Sequence, residues 1–397
     1  MLTSPEKQNI LLITIDSLRA DFCGWLNPKT KDLTPFLNEL ASQSVYFTKA
    51  YAPGPNTAFS FPGILTGTYP FSFVGWDGND FPALNQRPNL AEMLSQKGYH
   101  TIAVHSNPYL SHHYGYDKGF IEFNDIGEIS SVKMETTFRM LNRKNILYRT
   151  LKSYLKKYLP APYNLLIYFT VVVLRQNTKY CPYKKAKDIN ERAIQSLQKK
   201  PEKPYFLWLH YMDTHHPFLP TKRFYSKDMS PKEMEFYLKL FYKLLYRNVK
   251  SVKKEDLERI KDLYRDAVKT VDESLRDLFS FLNEKGFLRN TVILICADHG
   301  EEFMEKGNTG HKEKLIPEIL RVPLILKASD RRGEIDKKVS LTQIPATLLE
   351  LAGIKTFPIM EPSLLSESKP EIKSELVTDY DSVLINFNLN TYQKIIH

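Results

Sequence analysis

Two aspartates stand where apolar segments stop. Asp16 follows Asn9–Ile15 (NILLITI), and Asp298, with His299 and Gly300, follows Thr291–Ala297 (TVILICA). Short continuous apolar runs rich in β-branched residues read as buried parallel strands. Ligands of open α/β sheets bind beyond the carboxyl ends of such strands. A carboxylate delivered there twice, once with a neighbouring imidazole, suits a divalent cation that accepts oxygen and nitrogen ligands. For Asp16 the competing role is a helix N-cap ahead of Ser17-Leu18.

Three more groups carry reactive side chains. Thr57 lies just before a short predicted helix that ends at Gly67. A hydroxyl there meets a positive field and free N–H groups, and a nearby cation makes it a nucleophile. The alternative is an ordinary threonine N-cap. His215 and His216, in MDTHHP, follow the apolar run Tyr205–Tyr211. They suit contact with an anion or protonation of a leaving group, or are plain surface-loop histidines. His311 and Lys312 follow Gly310. They either ground the charge of a phosphate or sulfate or are solvated.

A sheet must bring these groups together. Strands are predicted at Asn9–Ile15, Val45–Ala50, His100–Val104, Tyr205–Tyr211, Thr291–Ala297 and Val322–Leu326. Helices are predicted at Leu33–Ser42, Asn89–Gln96, Ile189–Gln198, Met229–Tyr246, Lys254–Leu282 and Leu341–Ala352. Short strands are expected in Glu375–Ile396. The alternation argues for an α/β sheet with helices on both faces. We expect one α/β domain over 1–397, interrupted by an insertion at 133–187 and closed by a short extension at 354–397.

Composition narrows the class. The 397 residues are 42% hydrophobic and 25% charged, which excludes a disordered or collagen-like chain. The net charge of +10 is uneven. Lys133–Lys203 holds 17 Lys/Arg against 4 Asp/Glu, which leaves the rest of the chain at −3. Cys23, Cys181 and Cys296 are widely spaced and form no CxxC, so a disulfide framework or a cysteine zinc site is not expected. The first residues lack the pattern of a signal peptide. The apolar run Leu165–Leu174 falls short of the ~20 residues of a spanning helix. The expected setting is soluble and cytoplasmic. The insertion is either an amphipathic patch for peripheral contact with an anionic membrane or a solvated lid. No nucleic-acid-binding module is visible, so nucleic acid is not an expected partner.

Taken in order, these segments resemble the sulfatase branch of the alkaline phosphatase superfamily, from Asn9 to about Gly353. NILLITIDSLRAD resembles that family's opening strand and metal-binding acid. FPGILTGTYP resembles the stretch after its nucleophile, and HSNPYLSHHYGYDKGFIEF a later segment. VILICADHGEEF with GHKEKLIPEILRVPLIL resembles its second metal-binding strand and substrate loop, and SLTQIPATLLELAGI the helix beyond. The resemblance implies a mixed, mostly parallel sheet sandwiched by helices, with a small C-terminal strand region. It also implies one divalent cation (Mn²⁺, Mg²⁺, Ca²⁺ or Zn²⁺) with Asp16, Thr57, Asp298 and His299 as ligands. Thr57 falls at the nucleophile position, His215 at the histidine of an H-x-P loop, and Lys312 at the substrate lysine. His311 is implied in a substrate or ligand role.

The departures redirect the chemistry. Formylglycine sulfatases carry C/S-x-P-x-R, whereas Thr57, Phe59 and Phe61 stand at those places, and Ser17 replaces the second acid of the usual Asp-Asp pair. A threonine nucleophile resembles the phosphodiesterases and phosphotransferases of the superfamily. The expected activity is metal-dependent attack on a phosphate ester, the substrate being an anionic ester linked to a glycan, lipid or small molecule. One alternative is sulfuric ester hydrolysis. The other is a non-catalytic binding protein on the same fold, which the cost of acids buried without a cation opposes. No second ligand set is evident, so one metal is expected.

Overall fold

A computed structural model describes residues 7–73, 84, 87–127, 183–199, 204–224, 230–247, 252–311, 314–328, 331–368, 370, 372–377, 384–388 and 393–396. Lys312 and residues 133–182 of the basic insertion lie outside the described residues. The strands are β1 (Asn9–Ile15), β2 (Val45–Tyr51), β3 (His100–His105), β4 (Glu122–Asp125), β5 (Tyr205–Tyr211), β6 (Thr291–Ala297), β7 (Glu302–Phe303), β8 (Thr309–Gly310), β9 (Arg321–Val322), β10 (Leu324–Lys327), β11 (Gly333–Ser340), β12 (Lys373–Val377), β13 (Leu384–Asn388) and β14 (Gln393–Ile396). The helices are α1 (Pro35–Ser42), α2 (Thr57–Thr66), α3 (Leu90–Gln96), α4 (Ala186–Gln198), α5 (Pro231–Arg247), α6 (Lys254–Glu284), α7 (Pro317–Leu320) and α8 (Ile344–Leu351).

The main sheet runs β11-β2-β10-β6-β1-β5-β3-β4, with β9 on β2. Among these strands only β10 and the short β9 run against the rest. Ile10–Ile13 and Ile15 are fully buried, so both faces of β1 are covered, which is why the strand reads as unbroken apolar residues. One helix group (α1, α4, α5, α6) and another (α2, α3, α8) sandwich the sheet. This is the mixed, mostly parallel architecture the resemblance implies. A small antiparallel sheet, β12-β13-β14, follows near the C-terminus. No helix among the described residues is long and apolar enough to cross a membrane.

Register sets the position of the reactive groups. Ile15 pairs with Tyr211 on one side and with Ala297 on the other. The residues that follow, Asp16, Met212 and Asp298, therefore leave three parallel strands at one level. Besides the separate β7-β8 pair, two strands were not expected, β4 and β11, which form the two edges of the main sheet. Their sequences, EFND and GEIDKKVS, are polar, as exposed edges require to avoid pairing with other chains. The single strand expected at Val322–Leu326 is split at Pro323 into β9 and β10, because proline has no N–H for the ladder.

Helix α6 ties the layers together. Ile260, Leu263, Tyr264, Ala267, Val268 and Val271 are buried at helical spacing. Asp272, on the same helix and 2% exposed, accepts the Phe36 and Leu37 N–H groups at 2.9 Å each. It caps α1 from another element, since Thr34 makes no side-chain cap bond. Asp272→Ala leaves both donors unpaired, the Leu37 N–H buried and the Phe36 N–H partly so. It is expected to cost about 2 kcal/mol, read as a lower urea midpoint at unchanged slope.

Candidate active site

The turn after β1 is strained and pinned. Ser17 has φ of 59°, a left-handed conformation that non-glycine residues seldom adopt. That conformation aims two donors at two carboxylates. Ser17 N–H donates to Asp298 Oδ1 at 3.1 Å and Ser17 Oγ donates to Asp16 Oδ1 at 2.8 Å. Tyr264 holds the turn from outside: its hydroxyl donates to Ser17 O at 2.7 Å and accepts from Arg19 N at 2.9 Å. Thr214 Oγ1 donates to Asp16 O at 2.5 Å.

Asp16, Asp298 and His299 are all fully buried. One ligand atom from each lies within 4.8 Å of the others. His299 Nδ1 is 2.9 Å from Gly300 O. A carbonyl only accepts, so Nδ1 carries the proton and Nε2 keeps a lone pair. That Nε2 is buried, makes no hydrogen bond, and lies 3.4 Å from Asp298 Oδ2 and 3.8 Å from Asp16 Oδ1. An orphaned imidazole nitrogen between two carboxylates is a donor set that fits a divalent cation.

Without a cation the pair is in conflict. Burial and the charge on Asp16 push the Asp298 carboxyl well above its usual range, against N–H donors from Ser17 and His299 and the Thr57 hydroxyl. Burial also opposes the Asp16 charge, but His215, His210 and His299 outweigh it and hold Asp16 well below that range. Two buried carboxylates this close keep one negative charge between them. Burial first, then His311, lowers His299 to about 3, so its ring is neutral and able to coordinate.

Thr57 joins this group. Asn56, not Thr57, caps α2 by accepting Ala58 N–H. The Thr57 hydroxyl is thereby left to donate to Asp298 Oδ2 at 3.2 Å. At the other end Gly67 takes φ of 72° and closes the helix. Strand β12 braces the approach to Thr57. Ser374 Oγ donates to Ala52 O at 2.6 Å, Glu375 N–H to Pro53 O at 2.7 Å, and Glu375 Oε2 accepts Phe71 N–H at 2.6 Å.

Behind Asp16 stands a buried polar layer. Asn107 Nδ2 donates to Asp16 Oδ2 at 3.2 Å, and His210 Nε2 lies 3.4 Å from the same oxygen. His210 Nδ1 is 2.9 Å from Thr14 Oγ1, which also accepts from Trp208 Nε1 at 3.0 Å. These four were not singled out from sequence. The available signals were a histidine and a threonine inside otherwise apolar strands, and a polar Ser106-Asn107 step at the end of β3.

A second cluster lies alongside. His215, His216 and His311 each place one ring nitrogen within 4.8 Å of the others. The His311 and His299 rings are 4.4 Å apart. Glu301, fully buried, lies 3.3 Å from His311 Nδ1 through Oε1. The structure thus brings together Asp16, Thr57, Asp298 and His299 in one group and His215 and His311 in the next. Glu301 is an addition to the residues given roles from sequence. The signal for Glu301 is its spacing three residues beyond Asp298.

The sulfatase family model matches residues 8–354. An arylsulfatase of Clostridium perfringens is 24% identical over 378 residues, covering 88% of this chain and 75% of its own. Among solved structures, a phosphonate monoester hydrolase from Silicibacter pomeroyi superposes with a TM-score of 0.68 at 17% identity, over 98% of this chain and 87% of that one. A putative sulfatase from Bacteroides thetaiotaomicron gives 0.65 at 17% identity, over 99% and 85%.

Asp298→Asn keeps the shape, with Oδ1 accepting the two N–H groups, and removes the charge conflict. A buried acid with a raised pKa loses stability as the pH climbs through that pKa, because unfolding lets it ionise. The metal-free Asn variant is expected to exceed wild type in stability by on the order of 1 kcal/mol at neutral pH, with a flatter dependence on pH. The same variant is expected to lose the rise in Tm that Mn²⁺ or Zn²⁺ gives the wild type. Thermal unfolding with and without ion checks both.

Proposed function

We propose that this chain, which belongs to the sulfatase family, attacks phosphate esters with Thr57 Oγ1 in a metal-dependent hydrolase or phosphotransferase reaction. The family members are hydrolases of the alkaline phosphatase superfamily. The observation that carries the finer reading is the Thr57 hydroxyl, 3.2 Å from Asp298 Oδ2 and beside the Asp16–His299 pair.

Asp16, Asp298, His299 and Thr57 Oγ1 would hold the cation. When bound, it supplies positive charge that favours the Thr57 alkoxide and offsets the charge growing on the equatorial substrate oxygens. The chain's own residues do the rest. Ser17 fixes both carboxylates and adds no charge of its own, so the site's negative charge stays low. The α2 N-terminus offers its dipole to an incoming anion, its Ala58, Phe59 and Ser60 N–H groups being taken by Asn56. Thr57 points its proton at Asp298 Oδ2, which is in place to receive it. The Thr57 oxygen–phosphorus bond forms as the bond to the leaving alcohol breaks, and that alcohol takes up a proton as it departs. His215 and His311 are assigned to the departing oxygen, and Lys312 to the charge of the substrate. Water or a second alcohol then releases the phosphoryl group from Thr57.

Sulfuric ester hydrolysis is the second reading, favoured by the named activities of the relatives. Formylglycine chemistry places an arginine where Phe61 stands. Phe61 is fully buried, with its ring 5.0 Å from His210 and 5.5 Å from Trp208. A guanidinium in that place would be buried at high cost.

Thr57→Ala is expected to lower turnover of an aryl phosphodiester at least about 10³-fold, with Mn²⁺, Mg²⁺, Ca²⁺ or Zn²⁺ supplied. Phosphate on Thr57 is expected by mass spectrometry of acid-quenched wild type. Undiminished turnover in the variant overturns the nucleophile, and faster release of sulfate than of phosphate from matched aryl esters overturns the substrate class.

A further inference from the structure

We infer that Glu375, on β12 and apart from the loops that follow β5 and β8, is a positioning residue for Thr57. Its buried carboxylate is a latch that locks the C-terminal strand onto the chain segments on either side of α2. The inference rests on the proposed function only in making Thr57 the group whose placement matters for turnover.

Three observations carry it. The first is that three segments cross at one residue. Glu375 is 2% exposed. Its Oε2 accepts the Phe71 N–H at 2.6 Å, beyond the end of α2. Its own N–H donates to Pro53 O at 2.7 Å, ahead of the start of α2. Ser374, fully buried, adds a bond from Oγ to Ala52 O at 2.6 Å. Two neighbouring residues of β12 thus tie residues 52–53 to residue 71.

The second is the close packing between this crossing and Thr57. A Cβ on Gly54 would collide with Phe59 Cβ and lie 2.9 Å from Glu375 O. The chain therefore passes between β12 and the first turn of α2 with no room for a side chain. Ser60 Oγ donates to Gly54 O at 3.1 Å, and the Phe59 ring meets the Phe71 ring edge-on at 6.4 Å. Close-packed contacts leave no free volume to absorb a displacement. A shift of β12 is passed through Pro53 and Gly54 to Asn56, which caps α2, and so to the Thr57 hydroxyl next to it.

The third is the chemistry of the carboxylate. Oε1 lies 3.6 Å from Lys373 Nζ, and that ammonium sits over the Tyr69 ring at 4.8 Å. The Lys373 N–H donates to the Tyr69 hydroxyl at 3.3 Å. Burial pushes the Glu375 carboxyl up to about 7, against the Phe71 N–H and Lys373. Acid and carboxylate alike offer an oxygen to the Phe71 N–H. Glutamine keeps that acceptor, and alanine removes it.

The test separates the latch from simple structural support. Full-length wild type, Glu375→Ala, Glu375→Gln and Ser374→Ala are compared in kcat and KM on an aryl phosphodiester. Backbone hydrogen exchange is followed in the same proteins by mass spectrometry. Glu375→Ala is expected to lower kcat about 10²-fold at unchanged KM, and to quicken exchange at residues 52–60 at least about tenfold. Ser374→Ala, a smaller change that leaves the Phe71 anchor in place, is expected to move both in the same direction. Glu375→Gln is expected to match wild type in both. Faster exchange confined to residues 69–73 overturns the inference, because Glu375 then anchors Phe71 alone. Glutamine as damaging as alanine also overturns it, as does wild-type kcat in Glu375→Ala beside an inactive Thr57→Ala. Exchange needs no turnover, so the latch is judged apart from Thr57→Ala, which tests the nucleophile itself.

Discussion

Asp16 and Asp298 leave adjacent parallel strands at the same level, fully buried and facing one histidine nitrogen with no hydrogen bond. Two like charges in that setting are unfavourable on their own. Most of the local structure follows from holding them there. Ser17 accepts a strained backbone so that its N–H and its hydroxyl each reach one carboxylate. Tyr264, from the long helix α6, fixes that strained turn from behind. Strain kept at a site and supported by buried hydrogen bonds elsewhere is the pattern expected where a fold stores binding capacity for an ion.

The same constraint explains the placement of Thr57. Asn56 takes the capping role and the threonine hydroxyl is left to meet Asp298. Strand β12 grips Ala52 and Pro53, so the small C-terminal sheet braces the approach to Thr57. His210, Thr14 and Trp208 form a buried chain behind Asp16. Side chains locked in this way hold ligand oxygens in place more tightly than an exposed loop does.

Much of this was legible in sequence, and the gaps have physical causes. The central strands announce themselves because burial on both faces makes them continuously apolar, and their ends then mark Asp16, His215 and Asp298. The edge strands β4 and β11 were invisible to the same criterion, because an edge is kept polar and short to prevent association. From its local sequence Thr57 read first as an N-cap, until the structure placed Asn56 there. The polar layer of Thr14, His210 and Asn107 was missed because each residue is isolated in its own segment. Only the register of β1 against β5 and the neighbouring β3 brings them to one carboxylate. Glu301 was passed over because Asp298-His299 beside it drew the metal assignment, and nothing local shows that its partners lie on the His311 and His215 loops.

The central claim is that the buried carboxylate pair exists to hold a cation against Thr57. Anomalous diffraction from crystals grown with Mn²⁺ and orthovanadate tests it most directly. The account predicts an anomalous peak bounded by Asp16, Asp298, His299 Nε2 and Thr57 Oγ1, with vanadium in line with that threonine oxygen. Crystals with vanadate bound but no peak between the two aspartates, and Thr57 turned away from the vanadium, would contradict it.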